Sequence, residues 1–246
     1  ALQTRLQKFF WGVGLPILEG YGLTETSPII AVNTLVKGGT GFGTVGKVID
    51  EVEVKIAEDG EILTKGPNIM LGYYNAPKLT EEVMTGDWFH TGDIGKFEDG
   101  LLKITDRKKQ MFKTSGGKYV APGPIENAMK ASRFIEQIMV IGDGKKHASA
   151  LIVPAFSYIK SWAKSEGHAC KTNDEICISK EVINAINSDV KALNENFGKT
   201  EQIKRFELIN CEWSVDGGEL TPTMKPKRKP ILEKYDHLVK KIYGED

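Results

Sequence analysis

Glu19-Gly-Tyr-Gly-Leu-Thr-Glu25 is the stretch from which the fold of this chain can be inferred. Its glycines, among them Gly22, let the backbone approach a ligand closely, Tyr21 offers a flat aromatic face, and Thr24 offers a hydroxyl. Glu25 adds a hard carboxylate oxygen of the kind that Mg²⁺ prefers. Taken alone, the combination indicates either a nucleotide site or a plain loop-to-helix turn.

The composition is that of an ordinary globular protein. Among the 246 residues, Lys and Arg number 33 and Asp and Glu also 33, so the formal net charge is zero, and 40% of the residues are hydrophobic. A disordered chain would be less apolar, and a nucleic-acid-binding chain would carry a basic excess. The length suits one large or two modest domains, at about 100–200 residues each. We therefore expect a domain boundary and no nucleic-acid partner.

Membrane-spanning, secreted and metal-binding classes find little support in the sequence. The longest run without Asp, Glu, Lys or Arg extends from His147 to Ile159, well short of the ~20 apolar residues of a membrane helix. No leader-like segment opens the chain, so a cytoplasmic protein is expected, with a peripheral contact at the inner membrane face left open. The three cysteines cannot all pair and are expected to be reduced thiols. His168, Cys170 and Cys177 fit no zinc pattern with a second ligand pair.

Local patterns predict an α+β chain that is rich in hairpins first and in helices later. Asp59-Gly60, Asp99-Gly100 and Asp143-Gly144 lie between strand-like runs and predict three hairpins. Apolar residues three to four apart predict a helix over 182–197. Further helices are predicted from three residues that suit a first turn: Ser157 as a cap, Pro124, and Pro230 at the start of the last helix.

A second candidate site is Trp88-Phe-His-Thr-Gly-Asp93. A carboxylate that follows glycine can accept both hydroxyls of a ribose, as an acidic residue does in dinucleotide-binding folds. An Asx-turn or a helix cap is the alternative interpretation.

A third stretch, residues 103–118, is strongly basic. It holds six basic residues against one acid, Asp106, which predicts either local anion binding or a solvated basic face. Gly116-Gly117 lets a narrow ligand lie against the backbone, and Ser115 adds a donor. The polar part of this stretch, residues 105–110, is also the best candidate for the domain boundary.

The fourth stretch is Leu220-Thr-Pro-Thr-Met-Lys-Pro-Lys-Arg-Lys229. Its basic residues could form a nuclear-localisation or nucleic-acid patch, but no aromatic side chains are interleaved with them. A lysine placed in a loop by Pro222 and Pro226 can instead reach a phosphate or carboxylate as a mobile point charge.

In this order and spacing, the four stretches resemble the later motifs of the adenylate-forming superfamily, which includes acyl-CoA synthetases, luciferases and nonribosomal-peptide adenylation domains. The start, from Phe9-Phe-Trp-Gly to Thr-Ser-Pro28, and the ending Gly218-Glu-Leu-Thr-Pro-Thr-Met-Lys225 are most similar to bacterial-type long-chain fatty acyl-CoA synthetases. The resemblance covers essentially the whole chain. It implies that residues 1–105 are the β-rich end of the large adenylation domain and residues 106–246 the mobile, small α+β C-terminal domain.

The resemblance also implies roles for individual residues. The nucleotide site would consist of Tyr21 near adenine, Gly22, Thr24 at the α-phosphate, Glu25 at Mg²⁺, Asp93 on the ribose hydroxyls and Arg107 beside them. The hinge would be Asp106 and Lys109, and the coenzyme A contacts Lys113, Ser115, Gly116, Gly117 and Lys118. The catalytic residues would be Lys225, as the mobile lysine, with Thr24 and Glu25.

The implied reaction has two halves and uses ATP, Mg²⁺, coenzyme A and a fatty acid. The fatty carboxylate attacks the α-phosphate of ATP and releases pyrophosphate, and the thiol of coenzyme A then displaces AMP. An attack between two anions requires positive charge at the transition state, which Lys225 and Mg²⁺ would supply.

Two departures from the family pattern qualify these expectations. The Ser/Thr/Gly/Lys loop that grips the β- and γ-phosphates is not found in the sequence, so the chain is expected to be a C-terminal fragment that is inactive alone and self-associates through an apolar face. Pro226 follows the mobile lysine where the family usually has an aliphatic residue, and it favours an extended Lys225. The alternatives are another adenylate-forming enzyme and a non-catalytic nucleotide-binding or interaction module.

Overall fold

In the computed structural model, which describes residues 2–168 and 170–245, the chain divides into two units between Gln110 and Met111. The sequence predicts the boundary after residue 105. The first unit extends further because the strand that begins at Leu101 continues to Arg107 and leads into a 3₁₀ turn over Lys108–Gln110. The predicted α+β class is confirmed.

The first unit consists mainly of short antiparallel strands. Its elements are α1 (Thr4–Gly12), β1 (Gly20–Gly22), β2 (Ile29–Val32), β3 (Lys47–Val48), β4 (Glu53–Ile56), β5 (Glu61–Lys65), α2 (Pro77–Glu82), β6 (Met84–Thr85), β7 (Trp88–Glu98) and β8 (Leu101–Arg107). One sheet has the order β1-β2-β3, and the other has the order β4-β5-β7-β6 with β8 also paired to β7. A small core joins these strands: Ile30, Ala31, Val45, Ile62 and Leu102.

Strand β7 positions the second sequence motif. Its residues alternate in burial, as the two-residue period of a strand requires, so that Phe89, Thr91 and Asp93 lie on one buried face. A carboxylate is thereby placed on the same buried face as Phe89.

The second unit is an α+β unit with a large apolar core. Its elements are β9 (Phe112–Lys113), β10 (Tyr119–Val120), α3 (Pro122–Met129), β11 (Ile135–Ile141), β12 (Ser149–Pro154), α4 (Phe156–Ser165), α5 (Asn173–Ile178), α6 (Lys180–Asn194), β13 (Phe206–Leu208), α7 (Arg228–Lys234) and α8 (Asp236–Tyr243). Strand β12 is central, pairs antiparallel with β11 and parallel with β13, and is buried along its whole length. None of the helices in the described residues is long and apolar enough to cross a membrane.

The three predicted hairpins are confirmed. Asp59-Gly60 joins β4 to β5, Asp99-Gly100 joins β7 to β8, and Asp143-Gly144 lies between β11 and β12. In all three pairs the glycine has a positive φ, the conformation for which the Asp-Gly signal selects.

The helix predictions were right about most positions and wrong about several starts. Helix α6 is confirmed and ends at Asn194, earlier than predicted. Ser157 is not a cap, because α4 begins at Phe156 directly after strand β12. Pro230 is the third residue of α7 rather than its first, and the predicted last helix is broken at Tyr235. Helix α3 begins at Pro122 rather than at Pro124.

Helix α6 generates a stability prediction. Its buried stripe includes Ile186, which is fully buried in the core of the second unit. Ile186→Ala should destabilise the second unit by about 2–5 kcal/mol, because it removes buried methyl groups and leaves a cavity. Asn184→Ala on the exposed side of the same helix is the matched control and should stay within about 0.5 kcal/mol of the parent. Urea unfolding followed by Trp162 and Trp213 fluorescence measures both, and equal losses would contradict the prediction.

Candidate active site

Asp93 is the centre of the site in the first unit. Its side chain is 5% exposed, and both carboxylate oxygens have partners. Oδ2 accepts from the Tyr21 hydroxyl at 2.8 Å, and Oδ1 accepts from Arg107 Nε at 3.0 Å. Asp93 and Arg107 are also direct cross-strand neighbours in the β7–β8 ladder. Three segments that are distant in sequence therefore meet at one carboxylate.

Tyr21 is a neutral hydrogen-bond donor at this site. Burial raises the pKa of its hydroxyl well above the usual value, and the charge of Asp93 acts in the same direction. The hydrogen bond with Thr91 and the charge of Arg107 oppose this shift without reversing it. A carboxylate offers about four acceptor positions, so Asp93 can still accept from the hydroxyls of a ribose.

The turn between β1 and β2 explains why glycine stands at position 22. A Cβ atom there would lie 1.5 Å from the Pro28 carbonyl oxygen, so the backbone leaves no room for a side chain. A 3₁₀ turn over Thr24–Thr26 follows. The buried Thr26 hydroxyl stabilises it by lying within hydrogen-bond distance of the carbonyl oxygens of Leu23 and Pro28, to one of which it donates. The Thr24 side chain is exposed on the outside of this turn.

Glu25 is oriented by a tyrosine that the sequence reasoning missed. The Tyr73 hydroxyl donates to Glu25 Oε1 at 2.8 Å. A carboxylate held on one oxygen by a neutral donor keeps its second oxygen for a hard cation, so the donor chemistry fits Mg²⁺. In residues 2–168 and 170–245, no cluster of three or more His, Cys, Asp or Glu side chains forms a metal site of its own.

The basic stretch is only partly available to an anion. Lys103 pairs with Glu98 at 2.8 Å and Arg107 with Asp93, while Lys108 lies between Asp59 at 2.6 Å and Glu61 at 2.8 Å. Of the predicted hinge residues, Asp106 is buried in β8, where its Oδ1 accepts from Arg107 N at 2.7 Å, and Lys109 is exposed in the 3₁₀ turn.

The predicted coenzyme A contacts form one hairpin in the second unit. Strands β9 and β10 pair, and a hydrogen bond of 2.9 Å from Thr114 N to the Lys118 carbonyl closes the loop between them. Gly117 has a φ of 77°, which favours glycine. Exposed residues line the loop: Lys113, Ser115, Gly116, Gly117 and Lys118.

Lys225 is presented on a second hairpin of the same unit. Thr221 N donates to the Lys225 carbonyl at 2.8 Å, Lys225 N donates to Thr221 Oγ1 at 3.1 Å, and Leu220 bridges to Pro226. Met224 at the tip has a positive φ of 61°. The backbone of Lys225 is therefore held while its side chain is exposed, and no described carboxylate lies within 4.0 Å of its ammonium group.

An ion pair between a buried carboxylate and a half-exposed lysine anchors the base of this hairpin. Glu219 is almost fully buried and pairs with Lys234 of α7, and its backbone carbonyl accepts from Lys227 N at 2.7 Å. Burial opposes ionisation of Glu219, but hydrogen bonds from Lys234 and from backbone N–H groups outweigh it, so that the pKa of the carboxyl is lowered. Glu219 lies within the quoted ending motif, but the sequence carries no signal of its partner on α7.

Comparison with protein families covers both units. The model of the AMP-binding enzyme C-terminal domain matches residues 109–246, and the AMP-binding enzyme model matches residues 1–74.

Curated relatives match along the chain. The long-chain-fatty-acid–CoA ligase FadD15 of Mycobacterium bovis is 37% identical over 247 residues, covering 100% of this chain and 41% of the relative. The long-chain-fatty-acid–CoA ligase 6 of Mus musculus is 37% identical and covers 94% of this chain and 35% of the relative. The chain thus spans about two fifths of the length of the curated relatives it matches.

Solved structures show the same fold. The A domain of a carboxylic acid reductase from Segniliparus rugosus, in complex with AMP and a co-purified carboxylic acid, has a TM-score of 0.78 and 20% identity and covers 100% of this chain and 38% of that one. The o-succinylbenzoate coenzyme A synthetase of Bacillus subtilis, with ATP and magnesium, has a TM-score of 0.67 and 22% identity, over 93% and 44% of the two chains.

The fold is therefore that of the adenylate-forming enzymes. The family match over residues 109–246 then makes the assignment specific. This chain belongs to the AMP-binding enzyme family and carries its C-terminal domain.

The close approach at Gly22 generates a prediction. Gly22→Ala should open the β1–β2 turn, because the added methyl group meets the backbone of Pro28 rather than a movable side chain. Gly12→Ala is the control, since a Cβ atom at Gly12 would meet nothing within 4 Å. Hydrogen exchange of residues 20–32 should accelerate by at least about tenfold in Gly22→Ala and stay unchanged in Gly12→Ala. Protection in both variants would show that the turn tolerates a side chain.

Proposed function

We propose that this chain is the C-terminal part of a long-chain fatty acid–CoA ligase. The observation that carries the proposal is the buried carboxylate of Asp93 between Tyr21 and Arg107, in a chain whose relatives over its whole length are such ligases. The whole protein would activate a fatty acid with ATP to acyl-AMP and then transfer the acyl group to coenzyme A.

In this proposal, the first unit binds the nucleotide. Asp93 accepts the ribose hydroxyls while Tyr21 and Arg107 hold its carboxylate in one orientation, so that the acceptor positions are fixed before the ligand arrives. The ring of Tyr21 provides a surface for adenine. Thr24, exposed on the 3₁₀ turn, donates its hydroxyl to the α-phosphate.

Glu25, oriented by Tyr73, would hold Mg²⁺ in the bound state. When present, the ion supplies positive charge that neutralises the phosphates. Tyr73 orients the carboxylate of Glu25 through Oε1, and this contact joins the loop before α2 to the turn after β1.

The second unit would serve both half-reactions. Lys225 supplies positive charge to the attack of the fatty carboxylate on the α-phosphate, and its exposed ammonium group is suited to that task. The hairpin with Ser115, Gly116 and Gly117 lines the path of coenzyme A in the second half-reaction, with Lys113 and Lys118 available for its phosphates. Asp106 and Lys109 would be the hinge. Self-association and a peripheral membrane contact stay predictions of the sequence.

The nucleotide site can be tested by calorimetry. AMP should bind this chain, and Asp93→Ala should weaken the binding by at least about tenfold, because charge-assisted hydrogen bonds to the ribose are lost. Asp50→Ala, at an exposed carboxylate of the same unit, is the control and should bind as the parent does. Equal binding by parent and Asp93→Ala, or no binding by the parent, would contradict a nucleotide site within this chain.

We predict that the 246-residue polypeptide is inactive by itself. Because no loop of the Ser/Thr/Gly/Lys type is found in these residues, the 246-residue chain should not catalyse the exchange of pyrophosphate into ATP, even with palmitate present. Radiolabelled pyrophosphate measures this, and turnover above the background of a Lys225→Ala variant would overturn the prediction.

A further inference from the structure

A second buried carboxylate, Glu61, lies behind the candidate nucleotide site. Glu61 is the first residue of β5 and is 4% exposed. No role was predicted for it from the sequence. Its two oxygens bind different parts of the site, one on β7 and one on the segment after β8.

Oxygen Oε1 of Glu61 holds a bulge in strand β7. The pairing of β5 with β7 runs from Leu63–His90 directly to Glu61–Ile94, so that residues 91–93 lie opposite the single residue 62. This 91–93 bulge interrupts the ladder, and side chains replace the missing hydrogen bonds. Glu61 Oε1 accepts from Gly92 N at 3.0 Å, and Thr91 Oγ1 donates to the Ile62 carbonyl at 2.8 Å. Bulges of this kind re-aim the side chains that follow them.

Oxygen Oε2 of Glu61 holds the other side of the site. It accepts from Lys108 Nζ at 2.8 Å and contacts His90 Nδ1 at 3.0 Å. When Nδ1 carries the proton, His90 donates to Glu61 and accepts from the Thr85 hydroxyl through Nε2, at 2.9 Å. Burial opposes the ionisation of Glu61, but its hydrogen bonds outweigh this and lower the pKa of the carboxyl.

Two of the residues that Glu61 binds, Gly92 and Lys108, are sequence neighbours of the Asp93–Arg107 ion pair. Gly92 precedes Asp93, and Lys108 follows Arg107. Asp93 and Arg107 face each other across β7 and β8. One carboxylate therefore holds the backbone N–H of the residue before Asp93 and the side-chain ammonium group of the residue after Arg107.

We propose that Glu61 is a positioning residue of the nucleotide site, which sets the orientation of Asp93 and Arg107 by binding Gly92 and Lys108. The proposal rests on the proposed function for the binding step alone. The positioning itself concerns only the chain's own residues. A merely structural ion pair would stabilise the unit without changing the geometry of the Asp93–Arg107 pair.

The test compares Glu61→Gln with Asp59→Asn. The glutamine has one acceptor oxygen and one donor group, so it cannot accept from Gly92 N and from Lys108 together. Asp59→Asn neutralises the other partner of Lys108 and leaves Glu61 intact, which makes it a matched control. The measurements on the ¹⁵N-labelled full chain are the Gly92 amide exchange rate, the chemical shift of the Arg107 Nε–H group, and the AMP dissociation constant.

In Glu61→Gln, Gly92 exchange should accelerate by about tenfold, the Arg107 Nε–H signal should shift, and AMP affinity should fall by at least about fivefold. Asp59→Asn should leave all three close to the parent. The amides of β11 and β12 in the second unit report whether the rest of the chain stays folded.

An unchanged Gly92 amide and an unchanged Arg107 signal in Glu61→Gln would overturn the proposal. A changed Gly92 amide with parental AMP affinity, where Asp93→Ala loses that affinity, would also overturn it, because the role would then be structural. If no variant and no parent binds AMP, the proposed function fails, and the Arg107 signal alone decides the positioning. Should Glu61→Gln unfold the first unit, Lys108→Met is the second variant, because it removes the contact between Lys108 and Glu61. An unshifted Arg107 signal in that variant would overturn the proposal.

Discussion

The structure of the first unit depends on compensating the buried negative charge of Asp93. Asp93 lies on the inward face of β7, where an unpaired carboxylate would carry a large desolvation cost. The Tyr21 hydroxyl and the Arg107 guanidinium compensate that cost, and each comes from a different strand. The register of β8 against β7 and the position of β1 are therefore tied to one side chain. The orientation of the Asp93 carboxylate and the local pairing of strands therefore depend on the same contacts.

Hairpins could be predicted from the sequence because their signal is local. In each Asp-Gly pair, the turn conformation and the residue preference concern the same two positions. Helix starts were less predictable, because they depend on what precedes them: α4 begins where β12 ends, before Ser157 can cap it. Helix α5 was not predicted, although Thr172 and Glu175 form a capping box at its start.

The candidate site shows the same difference between local and distant information. Tyr21, Asp93 and Arg107 belong to motifs whose resemblance to a family suggested their roles. The hydrogen bond from Tyr73 to Glu25 joins residues 48 apart in the sequence, and the one from Gly92 to Glu61 joins residues 31 apart. No sequence pattern predicts either pair. Such groups become visible only once the sheet order brings them together.

The basic residues of this neutral chain are distributed differently in the structure than in the sequence. The basic stretch looks in the sequence like one patch, yet Lys103, Arg107 and Lys108 are each compensated by a carboxylate in the first unit. Their charge orders the protein and offers little to a distant anion, since a close pair is nearly neutral beyond a few ångström.

Exposed basic side chains lie on two hairpins of the second unit: Lys113 and Lys118 on one, and Lys225 on the other. The Lys225 side chain is exposed. Its backbone is held because Leu220 bridges to Pro226 on either side of the turn, while the buried carboxylate of Glu219 pairs with half-exposed Lys234 at the base. Pro226 thus belongs to an extended, bridged segment rather than to a free loop. The conformation of the backbone at Lys225 is therefore set by hydrogen bonds within the second unit.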